Sequence, residues 1–197
     1  MRRSLIVSVV VVLAASLIFV VGYTGSAAKN PRTGACPVKD LERLDVNFKI
    51  GVPSMSVLPP GYSLQAAIQE DEETVKMYFS DHELCPFPRL FEGQLPQKTI
   101  LISVSHRPDI ESGEKFLRDA VASKKEAIPE IMMLDINDID GYGWESFVFG
   151  QESQDTDVGL RRFPSTLEFY NEQDKTVYSI TGIEPLQKLV AIAKSIS

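Results

Sequence analysis

The stretch Thr176–Ile196, TVYSITGIEPLQKLVAIAKSI, contains a strand, a stop and a helix, and its two periodicities set the fold class. TVYSIT, Thr176–Thr181, is rich in β-branched and aromatic residues, and Gly182 ends it. Pro185 suits the first turn of a helix, where its missing N–H has no partner to lose. Leu186, Leu189, Val190, Ala193 and Ile196 then fall on one helical face. That stripe needs a sheet to bury it. The preceding segment supplies one strand, since Leu160–Tyr170 reads as extended with an interruption at Pro164 and meets Thr176–Thr181 antiparallel across Asn171–Asp174. The helix is expected to cross back onto the sheet's apolar face, beside Trp144 or its neighbours.

Further strands lie upstream. Trp144, Ser146, Val148 and Gly150 alternate with Glu145, Phe147 and Phe149, and TILISVSH, Thr99–His106, sends Ile100, Ile102 and Val104 one way and Leu101 the other. Val75–Phe79 is the antiparallel partner of an alternating run through Tyr62, Leu64, Ala66 and Ile68, with the acidic turn Glu70–Glu73 between them. Val46, Phe48 and Ile50 alternate as a half-buried strand would, after a short helix over Val38–Leu44. Glu111–Lys125 is the other helix, with Phe116, Leu117, Ala120 and Val121 as its apolar stripe. The expected class is α+β, an antiparallel sheet covered by one or two helices.

Ahead of this domain, residues 5–21 read LIVSVVVVLAASLIFVV, without a charge, after the basic start MRRS. At about 1.5 Å per residue a helix over Leu5–Tyr23 reaches about 28 Å, close to the ~30 Å of a hydrocarbon core. Arg2 and Arg3 favour a cytoplasmic N-terminus and export of the chain beyond the apolar run. Residues 1–28 are thus expected to be a signal peptide or signal anchor, 29–37 a tether, and 38–197 a single extracytoplasmic domain. Retention is preferred to cleavage, because the small residues Ser26 and Ala28 lie well past the apolar run. The expected location is the cell membrane, single-pass, with the domain outside; secretion after cleavage is the alternative.

Arg2 and Arg3 are the only charges in residues 1–28, so the remainder holds 18 of the chain's 20 basic residues against all 27 acidic ones, a net charge of −9. This excess argues against nucleic acid as a bulk electrostatic partner. Two cysteines, Cys36 and Cys85, in an oxidising compartment most simply pair with each other, closing a loop of about fifty residues. Two buried thiols, or pairing between chains, remain the alternatives.

Catalytic motifs are missing: there is no HExxH, CxxC, G-x-S-x-G or phosphate-binding glycine loop, and only two histidines, His82 and His106. Asp135–Gly141, DINDIDG, fails as a helical calcium loop, because its fifth position is Ile139, its sixth Asp140 and its twelfth Ser146. No metal, cofactor or catalytic residue is assigned. The Pro-rich segment Asp81–Lys98 is the best candidate binding element, since Leu84, Phe87, Leu90 and Phe91 either fold back onto the core or form an apolar rim for a partner.

VPSMSVLPPGY, Val52–Tyr62, followed by an alternating strand and a valine-led second strand, resembles the opening of domain-of-unknown-function family 4367. The Trp144 strand, YSITG at Tyr178–Gly182 and the closing AKSI also fit, so the likeness spans about residues 46–197. It implies a curved antiparallel sheet with helix cover, like that of lipoprotein carriers, in an exported or membrane-anchored protein; it names no catalytic residue. The functional expectation is an anchored, non-enzymatic domain binding a protein, peptide or lipid of the cell envelope. A structural envelope component and a carboxylate-based surface hydrolase are the alternatives.

Overall fold

Strict alternation within the strands becomes a two-faced sheet in the computed structural model, which describes residues 38–87, 95–128, 130–149 and 161–196. The elements run β1 Ser63–Gln69, β2 Thr74–Ser80, β3 Thr99–His106, α1 Gly113–Lys124, β4 Met132–Ile136, β5 Ile139–Trp144, β6 Phe147–Phe149, β7 Arg161–Phe163, β8 Ser165–Asn171, β9 Thr176–Gly182 and α2 Leu186–Lys194. Seven strands form one sheet in the order β1-β2-β3-β9-β8-β5-β4, each pair antiparallel, while β6 and β7 make a separate ribbon. The fold is α+β, with both helices packed against the sheet. Among the described residues no helix is long and apolar enough to cross a membrane. Leu5–Val21, Cys36, Leu90, Phe91 and residues 151–160 lie outside the described residues.

The first face is dry. Val75, Met77, Ile100, Ile102, Val104, Leu167 and Ile180 are all at 0% exposure on it, under α2, whose Leu186, Leu189, Ile192 and Ala193 are buried. The helix lies close because the strand beneath carries glycine: a Cβ at Gly143 would sit 2.6 Å from the Thr166 carbonyl oxygen and 2.9 Å from Leu186 Cδ1. Its N-terminus is held as well. Glu145, just after β5, accepts the Leu186 N–H at 3.0 Å, which satisfies an amide that the helix itself leaves unpaired and sets a negative charge at the positive end of the helix. The other helix is tied in the same way: Glu172, beyond β8, accepts the Gly113 N–H, and Ser112 Oγ accepts that of Lys115 at 3.2 Å.

Several sequence expectations need correction. Val46, Phe48 and Ile50 do alternate inward onto the core, but they form no ladder. The edge they would join is occupied earlier in the chain, where Val38 bridges Ala67, and Val38–Leu44 contains only a 3-10 turn at Leu41–Arg43. The alternation through Tyr62–Ile68 does not mark one face either. A bulge between Leu64 and Ala66 leaves Tyr62 and Leu64 on the dry side and turns Ala66 and Ile68 to the other. Trp144 is buried not under the closing helix but on the opposite face, with Leu117 of α1. The strand expected to continue through Val148 breaks at Glu145-Ser146, and Phe147–Phe149 joins the β6-β7 ribbon instead. DINDIDG is a tight hairpin: Ile136 pairs Ile139, and Asn137 and Asp138 take φ of 53° and 67°, as a two-residue type I′ turn demands.

Leu189 is fully buried and Lys194 exposed on the same short helix. Leu189→Ala should cost about 2–5 kcal/mol and Lys194→Ala less than about 0.5 kcal/mol in urea unfolding. Equal effects would mean that α2 is not part of the core.

Burial also raises the phenol pKa of Tyr62, Tyr78, Tyr142 and Tyr178, and that of Tyr78 is pushed up to about 12. A phenol that holds its proton more tightly when folded adds stability that is complete below the unfolded value near pH 10 and lost as pH rises through the folded value. Stability should therefore decline between about pH 10 and 12, and Tyr78→Phe should flatten that decline. Urea midpoints stepped across this range check it; parallel declines in the two proteins would exclude Tyr78 as a contributor.

Candidate functional site

The second face is built from the alternate residues of the same strands. Register aligns one row across all seven: Ile68, Lys76, Ser103, Ser179, Glu168, Tyr142 and Met133. A neighbouring row carries Tyr78, Leu101, Thr181, Thr166 and Trp144. Both rows are apolar at their ends and polar in the middle. Cover follows that pattern. At one end Leu84 and Phe87, 4% and 9% exposed, pack on Ala66 and Tyr78, with the Phe87 and Tyr78 rings edge-on at 5.0 Å. At the other end α1 lays Leu117, Phe116, Ala120 and Val121 over Tyr142 and Trp144. Between them Ser103, Ser179 and Thr181 remain half-buried at the centre of the sheet.

Of the sequence candidates, therefore, Leu84 and Phe87 take the inward of their two fates and do not form an exposed rim; Leu90 and Phe91 lie outside the described residues. Cys85, also described, is half-buried beside Leu84, while its expected partner Cys36 lies outside.

Glu168 is the charged centre of the strip. Its side chain is 19% exposed; Oε2 accepts from the Tyr142 hydroxyl and lies 3.4 Å from Lys124 Nζ, and Oε1 accepts from Ser179 Oγ at 3.4 Å. Lys124 also sits 5.6 Å and 5.9 Å above the Tyr142 and Trp144 ring centroids. Burial first, and then the Glu168 charge, raise the Tyr142 phenol well above its ordinary range, so it stays neutral and donates. At the far end Lys76 pairs with Glu70 at 2.7 Å. Ser103, half-buried, lies between these two pairs in the same row. The row was hidden in the sequence, because Lys124 and Glu168 are 44 residues apart and only register brings Ser103 and Ser179 together.

Two other clusters gather polar side chains. Ser80, Asp81 and His82 combine the residue types of a hydrolase triad, but Ser80 and Asp81 both contact the same ring nitrogen, His82 Nδ1, at 2.8 Å. A relay needs one nitrogen for each partner. Ser80 is moreover fully buried, and its hydroxyl donates to the Lys98 carbonyl at 2.9 Å. The second cluster is an open cleft of about 640 Å³ where Glu114, Asp138, Asp140 and Glu172 converge, but Glu172 already serves the α1 N-terminus. Among the described residues no group of three or more His, Cys, Asp or Glu is gathered as a metal ion requires.

Removing the Tyr142 hydroxyl leaves a half-buried carboxylate short of a donor, so Tyr142→Phe should destabilise by about 1.5–3 kcal/mol. In a Glu168→Leu background the same change should cost under about 0.5 kcal/mol. A double-mutant cycle followed by urea unfolding measures the coupling, and additive effects would dissolve the pair.

No family model matches the chain, and neither a curated protein nor a solved structure matches it.

Proposed function

We propose that the chain is a membrane-anchored, extracytoplasmic and non-enzymatic module that binds a protein or peptide of the cell envelope across the open strip of its sheet. The single observation that carries this reading is the asymmetry between the faces: Ile102 and Ile180 are at 0% exposure, whereas Ser103, Ser179 and Thr181, adjacent on the same two strands, are only half-buried. A rigid floor of short hydroxyls, with a lysine-glutamate pair at either end, suits the backbone amides and polar side chains of an extended segment. Acyl chains need an apolar groove, so the strip favours a peptide over a lipid. In the finer reading the sheet is curved, as in lipoprotein carriers, Leu5–Val21 is the retained anchor and a Cys36–Cys85 bridge clips the tether to the Pro-rich loop.

A photoreactive amino acid at position 103 or 179 of the full chain, irradiated in intact cells, should give an adduct of the same mass from both positions. Position 191, exposed on α2, should not give it. Identical products from all three positions, or none from the strip, would remove the binding reading. Alkaline extraction should leave the chain in the membrane pellet; a mature N-terminus at Lys29 would overturn the anchor and leave export standing.

A further inference from the structure

The two edges of the sheet are treated differently. On β1 the outer side is closed by the chain itself: the Ala67 N–H donates to the Val38 carbonyl at 2.7 Å, and Gln69 exchanges hydrogen bonds with the backbone of Asp45 at 2.8 Å and 3.1 Å. On β4 no described strand pairs with the outer side. The β4-β5 hairpin closes on Ile136 and Ile139, so Ile136, Leu134 and Met132 spend their backbone groups on β5, while those of Met133 and Asp135 point outward. An open edge of this kind is a template for another strand unless it is guarded. MMLDI contains neither lysine nor proline, and Met133 is 60% exposed.

Charge selects the occupant. Asp135 stands directly opposite Asp140 in a pair without mutual backbone bonds, the closer of the two antiparallel spacings, and both are exposed. Like charges placed so are destabilising. Glu130 precedes the strand and Asp138 sits in its turn; none of these four acids makes an ion pair with a basic side chain among the described residues. A second copy of this chain would bring four more acids to the same edge and is disfavoured.

We infer that the outer edge of β4 accepts an extended basic segment of a partner protein as an added strand, with a Lys or Arg beside Asp135 and an apolar side chain two positions away over Met133. The added strand would supply the carbonyls and amides that Met133 and Asp135 lack, and its cation would relieve the Asp135–Asp140 repulsion. The surface is separate from the hydroxyl strip, so either can fail alone.

The probe is the eight-residue peptide Thr-Lys-Thr-Val-Thr-Lys-Thr-Val, which places Lys and Val two positions apart on one face, titrated against the full chain in detergent, with the same peptide carrying Glu in place of Lys as control. The lysine peptide should bind and slow amide exchange at Met133 and Asp135, with affinity falling as salt rises; the glutamate peptide should do neither. Met133→Pro removes an outward N–H and no internal ladder bond, and should weaken binding about tenfold or more. If that variant does not fold, Asp135→Asn decides, with an expected loss of about threefold to fivefold. Equal binding of the two peptides, unchanged exchange at Met133 and Asp135, or a chain that instead dimerises through this edge overturns the inference.

Discussion

The structure depends on how closely α2 approaches the sheet, and that distance is set at Gly143. A methyl group there would meet the Thr166 carbonyl and Leu186 at well under van der Waals separation, so any other residue would lift the helix or distort β5. With glycine in place, Leu186 and Leu189 reach strands whose inward residues come from widely separated parts of the chain. Glu145 fixes the approach in the remaining direction, because its carboxylate leaves the end of β5 and holds the first amide of α2. One short segment, Gly143 to Glu145, thereby sets both the depth and the axial position of the helix.

Once that face is sealed, the other is not obliged to be. A fully buried aliphatic side chain contributes about 1.5–3 kcal/mol, and the dry face holds enough of them to carry a domain of ordinary stability. The opposite face can then be covered in two pieces, α1 at one end and Leu84 with Phe87 at the other, and its centre can be polar. Glu168 tolerates its partial burial because Tyr142, Lys124 and Ser179 all address it; without them a carboxylate at that depth would be costly.

Much of the fold was legible where one period governed a whole element. TILISVSH and the closing hairpin are found as read, since each has a single buried side and a clear stop; the last helix buries Leu186, Leu189 and Ala193 as read, but also Ile192, with Val190 and Ile196 only partly buried. Reading failed where alternation is necessary but not sufficient. Val46, Phe48 and Ile50 alternate because the backbone is extended, yet a ladder also needs a free edge, which no local pattern reveals. The bulge at Gln65 inverts the meaning of period two halfway along β1. Trp144 looked like core and is core, but which face it serves depends on the parity of β5, fixed by the hairpin at Asn137-Asp138. The site was less legible still. Its serines and threonines are the polar halves of ordinary amphipathic strands, and only seven-strand register turns them into a strip.

That origin bears on what the strip is for. Polar residues on one side of an edge strand need no explanation, but β3, β9 and β8 are the three middle strands of the sheet. At such positions Val or Ile would have both higher strand propensity and a larger apolar area to offer a covering element. The covers already exist on both sides of the strip. Stability alone permits either kind of surface here, because the sealed face already carries the core. A gap in the cover and a hydroxyl floor beneath it occur together, and the polar partner proposed above would account for both at once.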